Sequence, residues 1–198
     1  MAEVAAIILA AGGSSRFGRP KQLVEFDGIS LVQRAIKAAS EGGCRAIVVV
    51  TGSDSQQIAA KIVQSDVSTV ENGDWQEGIA SSIRAGVRHL IQTASPVSAV
   101  VLMVCDQPFV SGQIVAELID KWRAADKLIV ASNYSNTLGV PALFDRSCFE
   151  ELLHLQGDTG AKPIILKDPQ RVAQIPFPEG HYDIDTEAAS ARLPRADE

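Results

Sequence analysis

Short unbroken apolar runs alternate along the first two thirds of the chain with longer stretches in which apolar positions recur every three or four residues. The first run, Val4 to Leu9, reads as a strand buried on both faces, and it ends in a glycine-rich loop. A turn at Asp27-Gly28 precedes the capping-box pattern Ser30-Leu31-Val32-Gln33. Leu31, Ala35, Ile36 and Ala39 then share one helical face until Gly42-Gly43 stops the helix. Ala46 to Val50 predicts the next strand, and a second capping box, Ser53-Asp54-Ser55-Gln56, opens a helix carrying Ile58 and Ile62. Val67 to Val70 predicts a third strand, Ile79, Ile83, Val87 and Leu90 a helix face, and Ala99 to Val104 another all-apolar strand running straight into Asp106. Ser111 is placed to cap a helix bearing Ile114, Val115, Leu118, Ile119 and Trp122, and Leu128 to Ala131 predicts a further strand. The alternation predicts an α/β fold with a doubly wound, mainly parallel, Rossmann-like sheet and helices on both faces.

Beyond about residue 133 the rhythm loosens, broken by Gly139-Val140-Pro141, Gly157-Asp158-Thr159-Gly160 and Pro176-Phe177-Pro178. No second core is legible there. The 198 residues are expected to form a single domain over 1–198, burying roughly 70 % of the surface of the unfolded chain, with a polar, frayed end at 192–198.

Composition narrows the function. Net charge is −6 and no block of Lys or Arg occurs, so a nucleic-acid backbone is not an expected partner, and a small anion needs a local positive site. Cys44, Cys105 and Cys148 lack C-x-x-C spacing, which speaks against a disulfide framework or zinc site and fits apolar filler in a reducing compartment. No basic segment precedes the first apolar run and no stretch approaches the ~20 apolar residues of a membrane span; a cytoplasmic protein with no membrane partner is expected.

In open α/β sheets ligands bind beyond the carboxyl ends of the strands, so the loop after the first strand faces substrate. Gly12, Gly13 and Gly18 let backbone N–H groups approach a ligand, while Arg16 and Lys21 bring positive charge to the same place. That combination suits a polyphosphate. The loop holds no G-x-G-x-x-G, and although Gly13 and Gly18 have Walker-A spacing, Arg19-Pro20-Lys21 follows instead of Lys-Ser/Thr, so it is neither a dinucleotide fingerprint nor a P-loop. Asp106, at the end of an apolar strand, needs solvent, a partner or a hard cation such as Mg²⁺. In an extended Tyr182-Asp183-Ile184-Asp185 segment, Asp183 and Asp185 share a face with His181. Trp75 and Trp122 read as packing residues, and His89 and His154 as helix-surface residues.

Together, the run Leu9-Ala10-Ala11-Gly12-Gly13-Ser14-Ser15-Arg16-Phe17-Gly18-Arg19-Pro20-Lys21 and five later motifs resemble the MobA-like nucleotidyltransferases, most closely the molybdenum cofactor cytidylyltransferases. The later motifs are Asn72, Trp75, Gly78 and Ser82-Ile83; Cys105-Asp106-Gln107-Pro108; Gly139-x-Pro141 with Leu143-Phe144, followed by Gly157-Asp158-x-Gly160-Ala161; and Asp183-Ile184-Asp185-Thr186. The resemblance implies a Mg²⁺-dependent enzyme with Asp106 and Asp185 as metal ligands. Leu9, Ala10, Ala11, Gly12, Gly13, Arg16, Lys21, Gly78 and Ser82 are then at the nucleotide, and Gly157, Asp158 and Gly160 on the acceptor side. Arg16, Lys21 and Asp106 would carry catalysis. After Asp185-Thr186 the family's Pro-Glu-Asp is replaced by Glu187-Ala188-Ala189.

CTP is the implied donor and a molybdopterin-type phosphate the implied acceptor, with pyrophosphate released and transient contact with a molybdoenzyme or its chaperone as a partner relationship. Guanylyltransferases of the superfamily tend to carry glycine where Ala11 stands, and the extra methyl crowds a purine more than a pyrimidine. Transfer to a sugar or polyol phosphate, guanylyl transfer from GTP, and a non-catalytic nucleotide-binding role beside a molybdoenzyme stay open.

Overall fold

The computed structural model describes residues 3–13, 19–62, 64, 66–93 and 96–184. Its strands are β1 (Glu3–Ala10), β2 (Glu25–Phe26), β3 (Ile29–Ser30), β4 (Ala46–Thr51), β5 (Val67–Glu71), β6 (Val97–Val104), β7 (Ile129–Tyr134), β8 (Thr137–Asp145) and β9 (Val172–Pro176). The α-helices are α1 (Leu31–Glu41), α2 (Ser55–Ala59), α3 (Ile79–Gln92), α4 (Gly112–Ala124), α5 (Phe149–Leu153) and α6 (Lys162–Lys167). Among the described residues, seven strands form one sheet in the order β5-β4-β1-β6-β8-β7-β9, and β2 and β3 form a small separate ladder.

The expected α/β architecture is present. β5, β4, β1 and β6 pair in parallel, β7 and β9 pair in parallel, and β8 alone runs against both its neighbours. Strand alternation splits the apolar residues between the two faces. Val4, Ala6, Ile8 and Ala10 face α1 and α4, whereas Ala5, Ile7 and Leu9 face α3, α5 and α6. Both faces of β1 are therefore dry, which is why its sequence is an unbroken apolar run and not an alternating one.

Most of the helix signals in the sequence correspond to helices in the structure. Ser111 caps α4 through its hydroxyl, which accepts from the Ile114 amide, and Trp122 packs on the α1–α4 core as read. At α1, Ser30 donates its hydroxyl to the Gln33 side chain, so the two ends of the expected box bond each other and not the helix amides. The second box is corrected: α2 starts after Asp54, its cap residue makes no side-chain capping bond, and Ile62 lies beyond the helix.

The main structural addition lies past residue 133, where the Gly/Pro-punctuated stretch supplies β8 and β9 to the same sheet. β7 turns back into β8 through Ser135 and Asn136, both in the left-handed region with φ of 49° and 58°. Among the described residues, no helix is long and apolar enough to cross a membrane.

Candidate functional site

At the carboxyl ends of β1 and β6, a cleft of about 410 Å³ opens between the loop after β1, residues 75–79 and the turn after β6. Of the nucleotide-side candidates, Leu9, Ala11, Gly12, Gly13, Lys21, Gly78 and Ser82 line it, as do Asp106 and Asp158. Ala10 is packed beneath, 1 % exposed. Arg16 and Asp185, with Ser14, Ser15 and Gly18, lie outside the described residues.

The loop after β1 is held by a residue that sequence reasoning missed. Gln22 is 1 % exposed, and its side-chain amide donates to the carbonyls of Ala10 at 2.8 Å and Gly12 at 2.9 Å. Pro20 and the short 3₁₀ turn at Lys21–Leu23 return the chain so that this amide reaches back across the loop. No periodicity marks a lone glutamine for that task. Trp75 does more than pack: it forms part of the cleft wall and stands against Gly52, where a Cβ would lie 2.4 Å from the Ala11 carbonyl and 3.0 Å from the indole. The end of β4 thus admits the β1 loop only because residue 52 has no side chain.

Lys21 and Asp106 meet in the cleft, the ammonium donating to the carboxylate at 2.6 Å with about a fifth of each side chain exposed. The neighbouring Cys105 thiol is pushed up to about 12 by burial, with the Asp106 charge adding to the effect, so no thiolate is available beside the carboxylate. Burial likewise lifts Cys44 to about 12, and all three cysteines are free and buried, in keeping with filler.

A hard divalent cation fits this donor set. Asp106 presents its carboxylate to a cleft that also holds the Lys21 ammonium and the glycine-rich loop, and Mg²⁺ takes few protein ligands beside phosphate oxygens and water. Among the described residues no three His, Cys, Asp or Glu side chains gather as a self-sufficient metal cage. The segment bearing the second candidate carboxylate is fastened close by. The Ile184 amide donates to the Asp106 carbonyl, Gln107 donates from its side-chain amide to the Gly180 carbonyl at 2.7 Å, and the Tyr182 and Phe109 rings meet edge-on.

On the opposite wall, Asn72 is buried and donates to the hydroxyls of Ser81 at 2.8 Å and Ser82 at 3.0 Å. Ser82 is itself 4 % exposed, and its role as acceptor from Asn72 leaves its own proton to donate. Gly78 precedes α3 with φ +121°, and a Cβ there would sit 2.6 Å from the Gly157 carbonyl oxygen. The contact continues as a clasp: Ala80 N–H donates to that carbonyl, Ile79 N–H to the Asp158 carboxylate, and Arg84 grips Glu77 and the Leu155 carbonyl. Arg84 holds the Glu77 carboxyl below the ordinary glutamate range.

The three acceptor-side candidates therefore separate. Asp158 caps α3 and borders the cleft, Gly157 is spent on the clasp, and Gly160 lines a neighbouring apolar pocket of about 210 Å³ that shares Leu9, Ile79 and Val104 with the cleft. His154 is exposed beyond α5, and His89 is half-buried on α3.

Known proteins resemble the chain over most of its length. It is 29 % identical to nicotine blue oxidoreductase of Paenarthrobacter nicotinovorans, covering 96 % of both chains. It is 25 % identical to the molybdenum cofactor cytidylyltransferase of Escherichia coli, covering 94 % of this chain and 93 % of that one. Among solved structures, Rv0371c of Mycobacterium tuberculosis superposes with a TM-score of 0.82 at 27 % identity over 97 % of each chain. The same protein in complex with manganese gives 0.75 at 25 % identity over 96 % and 97 %. The pattern of the MobA-like NTP transferase domain matches residues 6–172, and the chain belongs to that family.

Proposed function

We propose that the chain transfers a cytidylyl group from CTP to the terminal phosphate of a molybdopterin-type acceptor, releasing pyrophosphate. The observation that carries this reading is the Lys21–Asp106 pair at the mouth of a cleft walled on one side by a glycine-rich loop. Such a site offers a lysine ammonium, a hard carboxylate and a glycine-rich backbone, which is equipment for polyphosphate and not for acyl or glycosyl chemistry.

Within it, the Gly12–Gly13 backbone and Lys21 hold the leaving phosphates, with Arg16 joining them from the same loop. The Ser82 hydroxyl, set by Asn72, donates toward the nucleotide. Asp106, with Asp185, would hold a divalent cation, which supplies charge neutralisation at the α-phosphate when bound; the manganese complex of Rv0371c supports a divalent ion. A phosphate monoester acceptor is already ionised at neutral pH, so the chain's task is to orient its oxygen in line with the pyrophosphate leaving group. No general base is required, and the buried thiol of Cys105 is no candidate nucleophile.

The choice of CTP and of molybdopterin is supported by the cytidylyltransferase relative and by Ala11, which lines the cleft with a methyl group where guanylyltransferases tend to carry glycine. Pyrophosphate release, measured with each NTP against molybdopterin and against sugar and polyol phosphates, tests it. CTP with molybdopterin should win, and Ala11→Gly should narrow the gap to GTP by no more than about 1–3 kcal/mol, the worth of one methyl group in a pocket. A native preference for GTP removes the cytidylyl assignment, and no release with any pair favours a binding role. The 29 % identity to nicotine blue oxidoreductase supplies a second reading, oxidation–reduction on this scaffold. Dye reduction with NADH or NADPH and no pyrophosphate release would favour it.

A further inference from the structure

We propose that Lys21 is the resident counter-ion of Asp106, drawn away only by the phosphates of an incoming nucleotide, so that a divalent cation enters with the nucleotide and not ahead of it. This rests on the reading of Asp106 as a metal ligand. The ammonium stands 2.6 Å from the carboxylate oxygen Oδ2, a charge-assisted contact on a side chain only 21 % exposed. A Mg²⁺ ion on that carboxylate would sit about 2.0–2.1 Å from its oxygen. It would therefore share with the ammonium the few ångströms around one carboxylate, where two cations repel each other.

The structure also shows how the pair can part. Both partners line the same cleft, so the phosphates arrive beside the ammonium. The backbone around Lys21 is fixed: Leu23 N–H donates to the Pro20 carbonyl, Val24 N–H to the Lys21 carbonyl, and the Gln22 amide is spent on Ala10 and Gly12. Exchange between carboxylate and phosphate consequently needs only side-chain torsions. Lysine, with a compact charge on a four-carbon stem, suits this exchange better than the planar, forked arginine. A polyanion repays the lost ion pair, whereas a bare cation does not. Metal and nucleotide thereby become coupled, reciprocally, through one side chain.

The test is Mn²⁺ binding without nucleotide, read from the free-ion electron paramagnetic resonance signal, on wild type, Lys21→Met and Lys21→Arg. Lys21→Met should bind Mn²⁺ roughly three- to tenfold tighter than wild type, the worth of a partly buried ion pair, and Lys21→Arg should not. Equal or weaker binding by a folded Lys21→Met overturns the inference. On wild type, the side-chain resonance of Lys21, assigned by its loss in Lys21→Arg, should move on adding metal-free α,β-methylene-CTP and stay in place with Mg²⁺ alone. Movement with Mg²⁺ alone overturns the inference even if Lys21→Met does not fold. If Asp106→Asn leaves Mn²⁺ affinity unchanged in the presence of α,β-methylene-CTP, the metal assignment itself falls, and the counter-ion role with it.

Discussion

The Ile184 amide donates to the carbonyl of Asp106 at 2.9 Å, so the Asp183–Ile184 segment is tied to the residue two positions beyond the end of β6. Ile184 is fully buried with Val24, Phe26 and Leu31, which fixes the anchor from the other side. Asp183 and Asp185 flank this anchor in the sequence. Asp185→Asn should lower the transfer rate on the order of 10²-fold, as loss of a group serving developing charge does, with an unchanged melting temperature. Asp183→Asn should cost far less. Steady-state kinetics beside thermal melts on both variants check this, and the reverse ranking would move the second ligand to Asp183.

Gly78 carries two demands at once, a backbone at φ +121° and the Gly157 carbonyl oxygen 2.6 Å from where a Cβ would lie. Gly78→Ala should therefore lose about 1–3 kcal/mol from backbone strain, before any displacement of the clasp. Gly73→Ala, where a Cβ meets nothing within 4 Å, is the control. Equal urea midpoints for the two variants would dismiss the clasp as a constraint.

Gln22→Leu keeps the apolar packing volume and removes both donors to the β1 loop. The Gly12 carbonyl has access to water, but Ala10 is 1 % exposed, so its carbonyl loses its side-chain donor in a dry place at a cost of about 1–3 kcal/mol. Urea unfolding should show that loss, and calorimetry should show weaker CTP binding as the loop loses its shape. Wild-type affinity in a destabilised Gln22→Leu would limit the residue to folding.

Arg84 lowers the Glu77 carboxyl by its hydrogen bond, with its charge and the Gly157 amide adding to the effect. A carboxyl depressed in the folded state stabilises fully above the ordinary glutamate range, and that stabilisation is lost as pH falls through the depressed value. The melting temperature of wild type should thus exceed that of Glu77→Gln at neutral pH and converge with it in acid. A gap that persists in acid would assign the effect to packing.

The parts of the fold that were legible are those whose cause is local. β1, β4 and β6 are dry on both faces, and such strands announce themselves as apolar runs. β8 was hidden because Gly139 and Pro141 interrupt it, yet Ala142, Leu143 and Phe144 are fully buried between β6 and β7. At the site, Lys21 and Asp106 were both marked by residue type, but their pairing spans 85 positions and no spacing rule reports it. The same holds for Gly78 against Gly157, and for Gln22, whose importance comes from a buried amide reaching across a turn.

Because β8 runs against β6 and β7, the tip at Ser135–Asn136 projects from the same end of the sheet as the β1 loop and Asp106. Tyr134, Thr137 and Leu138, which flank that tip, border the apolar pocket next to the cleft. A hairpin tip can lengthen by whole pairs without shifting the ladder beneath it. The reversal therefore gives this scaffold an adjustable brim, where insertions can reshape what the acceptor side admits while β1 and β6, which lead to the loop and to Asp106, stay in register.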